Sequence, residues 1–161
     1  MGDERQLAMS LPLDSDRFLR RECPTCEREF KWLVSPEGEG EKPVEGGYFC
    51  PYCGVQAGTA AWWTKAQLVH AQAIAYQEVA PDIDNLKRSL DEIGRASGGL
   101  ISASLTGEFP DKPKQLTEAD DMRRVEFSCH PNEPVKILDT WDKSVRCLLC
   151  GAPNGEWARR P

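Results

Sequence analysis

Cys23-Pro24-Thr25-Cys26 and Cys50-Pro51-Tyr52-Cys53-Gly54 place four of the chain's seven cysteines in two short knuckles. Each knuckle offers a pair of thiols from one tight turn. The polar, glycine-rich insert between them ends in the aromatic strand Tyr48-Phe49 and folds back as a hairpin. Two such pairs brought together make a tetrahedral four-thiolate site of the kind that holds zinc. Gly54 can take the positive φ that tightens the second knuckle and aims backbone N–H groups at sulfur.

Cys147-Leu148-Leu149-Cys150-Gly151 repeats the form further on, preceded by Cys129 and the adjacent His130. Three thiolates and one imidazole complete a second set of four, and no cysteine is left over. Neighbours on an extended strand point to opposite faces, so Cys129 and His130 reach one ion only if the chain turns there. Pro131-Asn132 favour that turn. The alternatives are that Glu133, His70 or water completes the set while His130 sits in a surface loop. The expected ligands are therefore Cys23, Cys26, Cys50 and Cys53 for one Zn2+ and Cys129, His130, Cys147 and Cys150 for another. A disulfide framework is the alternative for the whole set, opposed by CxxC spacing typical of metal sites in reduced compartments.

The chain has 161 residues, 29% of them charged, with 13 Gly and 12 Pro. That leaves little apolar material for one large core, so small metal-stapled modules are expected. The acidic, polar start Met1-Gly2-Asp3-Glu4 shows no export signal, and no apolar run approaches a membrane span. A cytoplasmic location is the expectation. The formal net charge of −6 argues against a general nucleic-acid binder, since affinity for phosphate comes from Lys and Arg. Arg17, Arg20, Arg21, Arg28 and Lys31 crowd the first knuckle, but Asp16, Glu22, Glu27 and Glu29 are interleaved with them and cancel most of the field.

Along the chain the reading gives a flexible lead (1–15), a first zinc-stapled segment (16–58), a helical segment (59–97), a linker (98–116), a second zinc-stapled segment (117–152) and a tail (153–161). Strands are expected at Phe18 to Glu22, through Phe30, Trp32 and Val34, at Tyr48-Phe49, from Arg123 to Phe127 and from Pro134 to Leu138. Thr117 to Met122 is expected as one helical turn. Thr64 and Gln67 form a capping box that opens a helix of about thirty residues. Val69, Tyr76, Val79, Ile83, Leu86, Leu90 and Ile93 keep three-four spacing along it, with Gln72 interrupting one position. Pro81 kinks the helix, and Gly94 or Gly98 ends it. The apolar stripe packs on the chain's own ribbons or forms a coiled-coil seam for a protein partner or a second copy. Trp62 and Trp63 cannot both point inward, so one joins ribbon to helix and the other is free as a docking anchor.

Residues 17–55 resemble a zinc ribbon, carried by the two knuckles, and residues 123–152 resemble a degenerate second ribbon. The resemblance implies a metal and a compact β structure, and no substrate. The expected fold class is α+β, small and metal-stabilised, with two zinc ribbons separated by the long helix. Treated as independent ribbons, they predict that Cys53→Ser unfolds the first and spares the second. Both sites read as closed, no catalytic residue is assigned, and His70 stands alone on a helical face. The leading function is a zinc-binding adaptor docking to a larger assembly through helix 64–96 and Trp62/Trp63. The alternatives are a nucleic-acid-binding accessory factor using the basic residues of the first ribbon, and a zinc hydrolase.

Overall fold

The computed structural model describes residues 8–36, 43–100 and 112–154. Expectations for the first seven residues, the hairpin tip, the middle of the linker and the end of the tail lie outside the described residues. Within them the order is β1 (Phe18–Glu22), β2 (Glu29–Leu33), β3 (Tyr48–Phe49), β4 (Gln56–Ala57), α1 (Lys65–Ala96), β5 (Met122–Val125) and β6 (Val135–Leu138). The chain divides into two compact units, one of Leu11–Gln67 with Leu116–Pro161 and one of Met1–Ser10 with Leu68–Gln115. No helix among the described residues is long and apolar enough to cross a membrane.

In the first unit the two cysteine-bearing segments share a sheet. Its order is β1-β2-β6-β5, antiparallel throughout, with β3 and β4 forming a separate pair. The sequence leaves open whether the segments meet. They meet at the centre of the sheet, where Lys31 faces Lys136 and Trp32 faces Val135. They form one sheet to which each segment contributes a hairpin.

Side-chain alternation gives this sheet two different faces. Phe30, Val125, Val135 and Ile137 lie on one, and they build the core with Trp62, Tyr52, Phe127, Val145, Leu148 and Leu149. The other face carries a row of four cations, one per strand, because the register aligns Arg20, Lys31, Lys136 and Arg124. Phe18 shares that face and is fully buried beneath Lys136 and Arg124, while its neighbour Leu19 falls on the other, as alternation requires.

Acidic chain covers three of the four cations, leaving Arg124 exposed beside Glu126. Lys31 Nζ lies 2.9 Å from Glu118, 3.1 Å from Asp121 and 3.3 Å from Asp14, and it also donates to the Ala119 carbonyl. Lys136 pairs with Asp14 at 2.8 Å and Asp16 at 2.6 Å, and Arg20 pairs with Glu29, Glu118 and Asp121. This explains why the helical turn expected over Thr117 to Met122 is absent. The backbone is irregular there until β5, spread over the face so that Glu118, Ala119 and Asp121 all reach the cations.

α1 opens with the capping box, in which the Thr64 amide donates to Gln67 Oε1 and the Gln67 amide donates to Thr64 Oγ1, both at 3.1 Å. The helix runs through Pro81 as a single element. It ends in a Schellman motif, with the Gly99 amide donating to Gly94, the Gly98 amide to Arg95, and Gly98 at φ 63°.

Gly47 is the tightest glycine in the molecule's described part. Its φ is 104°, and an added Cβ would lie 2.1 Å from the Ala57 carbonyl oxygen. Gly47→Ala is expected to destabilise the β3–β4 hairpin by about 2 kcal/mol or more, combining left-handed strain with displacement of backbone. Chemical denaturation at saturating metal measures it, and an unchanged midpoint would refute the expectation.

Candidate metal centre

Three knuckles share one backbone scheme. The amide of the first cysteine receives closure from five residues on, as Cys23 N–H donates to Arg28, Cys50 to Val55 and Cys147 to Ala152. The residue after the second cysteine donates back to the first, as Glu27 to Cys23, Gly54 to Cys50 and Gly151 to Cys147. That residue needs positive φ: Glu27 has 55°, Gly54 75° and Gly151 71°. Two of the three positions hold glycine, which adopts this region without a Cβ penalty, and Glu27 adopts it against one.

The turns gather the thiols. Cys23 Sγ lies 3.7 Å from Cys53 Sγ, and Cys26 Sγ lies 3.8 Å from Cys50 Sγ. In the second set Cys129 Sγ is 3.6 Å from Cys150 Sγ, and Cys147 Sγ is 3.4 Å from His130 Nδ1. These separations far exceed the S–S bond of about 2.05 Å, so the cysteines stand as thiols. Within each set all four ligand atoms lie within 4.8 Å of one another, and each cluster can hold a metal ion. Cys129 and His130 converge because the chain turns directly after them, with the Glu133 amide donating to the His130 carbonyl at 3.1 Å.

No protein-family model, curated protein or solved structure matches the chain. The chemistry of the clusters therefore rests on their own geometry.

Backbone amides point into the thiols. Thr25 and Cys26 donate to Cys23 Sγ and Tyr52 donates to Cys50 Sγ, each at 3.4 Å. Such bonds favour the thiolate. Burial opposes them: it drives the Cys147 thiol up to about 12 and the Cys50 thiol higher still, against the partial relief of their amide bonds. A bound cation would supply what the amides cannot, displacing those protons and balancing the charge in place.

The two clusters are interlocked. Arg146 N–H donates to the Pro51 carbonyl at 2.9 Å, and Phe49 N–H donates to Leu148 at 2.8 Å. Each knuckle's glycine is covered by the other segment: Arg146 packs over Gly54, and the Phe49 ring packs over Gly151. Tyr52, inside the Cys50–Cys53 knuckle, donates to the Glu29 carbonyl at 2.6 Å and accepts from the Leu138 amide at 3.0 Å. It thereby ties the first cluster to strands of both segments. Sequence reasoning missed this residue, since a tyrosine between two cysteines carries no local sign of a distant partner.

Of the tryptophan pair, Trp62 is buried in the core, edge-on to Phe30 at 5.7 Å, and only Trp63 keeps exposed surface. The Arg21 guanidinium lies 4.5 Å from the Trp32 ring centre and 5.1 Å from that of Trp63. Of the basic residues around the first knuckle, Lys31 is sealed under acidic side chains, Arg20 is held by three carboxylates, and Arg21 and Arg28 lie over indole rings.

Proposed function

We propose that the protein is a non-enzymatic zinc-binding interaction module of a reducing, cytoplasmic compartment. The metal choice rests on dimensions. A tetrahedral zinc–thiolate bond of about 2.3 Å puts neighbouring sulfurs about 3.8 Å apart, and a zinc–imidazole bond of about 2.0 Å puts nitrogen and sulfur about 3.5 Å apart. The observed 3.7, 3.8, 3.6 and 3.4 Å follow that pattern. Both ligand sets supply four protein groups, the closed arrangement of structural zinc, which leaves no position for a hydrolytic water.

The observation that carries the interaction reading is the apolar repeat on α1, where Val79, Leu86 and Ile93 stand exposed at seven-residue intervals. Large apolar side chains aligned along one helical face mark a surface used for association. The phosphate-binding reading is weakened by the engagement of Arg20 and Lys31 with carboxylates, because cations already neutralised within the chain add little to counterion release.

Elemental analysis of the reduced, purified chain tests the metal assignment. Two equivalents of zinc per chain are expected, and none would refute it. Under a chromogenic chelator the release is expected to be biphasic. The set containing Cys129 and His130 empties first, since one of its four ligands is buried against two in the other set. Simultaneous release of both ions would contradict that order.

A further inference from the structure

We infer that α1 is the dimerisation helix of this protein, pairing in parallel and in register with α1 of a second copy. The inference rests on reading α1 as an interaction surface, and it names the partner. From Val69 to Ile93 the spacing alternates strictly between three and four residues: Val69, Gln72, Tyr76, Val79, Ile83, Leu86, Leu90, Ile93. In heptad terms Val69, Tyr76, Ile83 and Leu90 are a positions, and Gln72, Val79, Leu86 and Ile93 are d positions. Val79 is 42% exposed, Leu86 48% and Ile93 49%, so the d row of the seam is open in the single chain, while Tyr76, Ile83 and Leu90 of the a row are half-buried. Ala73, beside the seam near its start, is only 4% exposed and already covered, so pairing is carried mainly by Tyr76 to Ile93.

Charge selects the partner and the orientation. Asp82 falls at g and Lys87 at e of the following heptad. In a parallel, in-register dimer, g of one helix meets the next e of the other, so Asp82 meets Lys87 of the second copy twice, once on each side of the seam. An antiparallel pair would set e against e and g against g, and the remaining e and g positions here are Ala73, Ala75, Ala80, Ser89, Gly94 and Ala96. No opposite charges would then meet. Small residues at those positions also let two helices approach without displacing long side chains. Pro81 falls at f, the outward position, where its ring stays out of the seam, and the helix runs through it as one element.

Sedimentation equilibrium of the full zinc-loaded chain at micromolar concentration tests this. A dimer is expected, with Leu86→Asp giving a monomer that keeps its zinc content and helicity. Asp82→Lys should weaken the dimer by on the order of tenfold, through loss of two pairs and creation of two repulsions. Adding Lys87→Asp should restore it. Carbodiimide coupling of mixed ¹⁴N and ¹⁵N chains should yield an Asp82–Lys87 link between copies. A monomeric zinc-loaded wild type, or a dimer indifferent to Leu86→Asp, would overturn the inference. If the wild type is monomeric but Leu86→Asp abolishes binding of other proteins from the native cell, the second copy is excluded while the interaction module stands. If neither self-association nor such binding responds, both readings fall.

Discussion

Cys53→Ser is expected to abolish hydrogen-exchange protection in β5 and β6 as completely as in β1 and β2. Losing one ligand from a structural zinc forfeits most of a contribution on the order of 10 kcal/mol. Total stabilities run to about 5–15 kcal/mol, so the first cluster cannot stay folded without it. The damage then spreads. β2 is the neighbour of β6 in the sheet, Tyr52 bonds to Leu138, and Phe49 and Arg146 each cover the opposite knuckle's glycine. Collapse of the first cluster therefore strips the second of a sheet neighbour, a hydrogen bond and part of its cover. Exchange measured by mass spectrometry on the zinc-loaded variant decides the matter: retained protection over Met122–Val125 and Val135–Leu138 would show that the segments fold separately, as their sequences suggested.

Lys31→Met is expected to cost about 3 kcal/mol, a large effect for an exposed-looking lysine in a sequence with many. Lys31 is 0% exposed, and removing its amine leaves Asp14 and Glu118 short of a counter-charge in a closed space. Asp121→Asn, at a half-exposed carboxylate, should cost within about 1 kcal/mol. Urea titration at saturating zinc measures both, and a Lys31→Met variant within 1 kcal/mol of wild type would refute the assignment.

The pH dependence has a definite sign. Burial pulls Lys31 down, but Glu118 and Asp121 outweigh it and hold the amine above its usual range; Lys136 is raised in the same way against Asp14 and Asp16. A raised lysine contributes fully below its unfolded value of about 10.5 and loses that contribution as pH rises through the folded value. Burial likewise works to raise Asp14 and Asp121, yet their cationic partners leave both below the usual carboxylate range. Their contribution is present above the unfolded value of about 3.9 and is lost as pH falls through the folded one. The alkaline limb is the cleaner assay, because acid also disfavours the thiolate form that metal binding by the two cysteine clusters would require. There the gap between wild type and Lys31→Met should narrow.

The two clusters were legible because cysteine spacing is a local signal: a CxxC turn gathers two thiols whatever surrounds it. Cys129-His130 was legible through Pro131-Asn132, which bend the chain at the one point where adjacent ligands require it. The capping box and the glycine stop of α1 were also local. The shared sheet was not, since nothing near Lys31 or Trp32 names Lys136 or Val135 as a partner more than a hundred residues away. Nor was the cation row: only the register shows that four basic residues align and that Asp14, Asp16, Glu118 and Asp121 lie over Arg20, Lys31 and Lys136. Thr117 to Met122 was misread for the same reason, its helix-compatible residues being held open by long-range ion pairs.

Arg20 has one more consequence. Its carbonyl accepts from Gln67 Nε2 at 2.9 Å and its guanidinium grips Glu118, so residues 68–115 depart from and return to a single amino acid of β1. Closing a loop whose ends are pinned together costs only about 0.6 kcal/mol more for each doubling of length. The segment between these two anchors can thus lengthen or shorten over evolutionary time, while the unit that carries the cysteine clusters is left thermodynamically almost untouched.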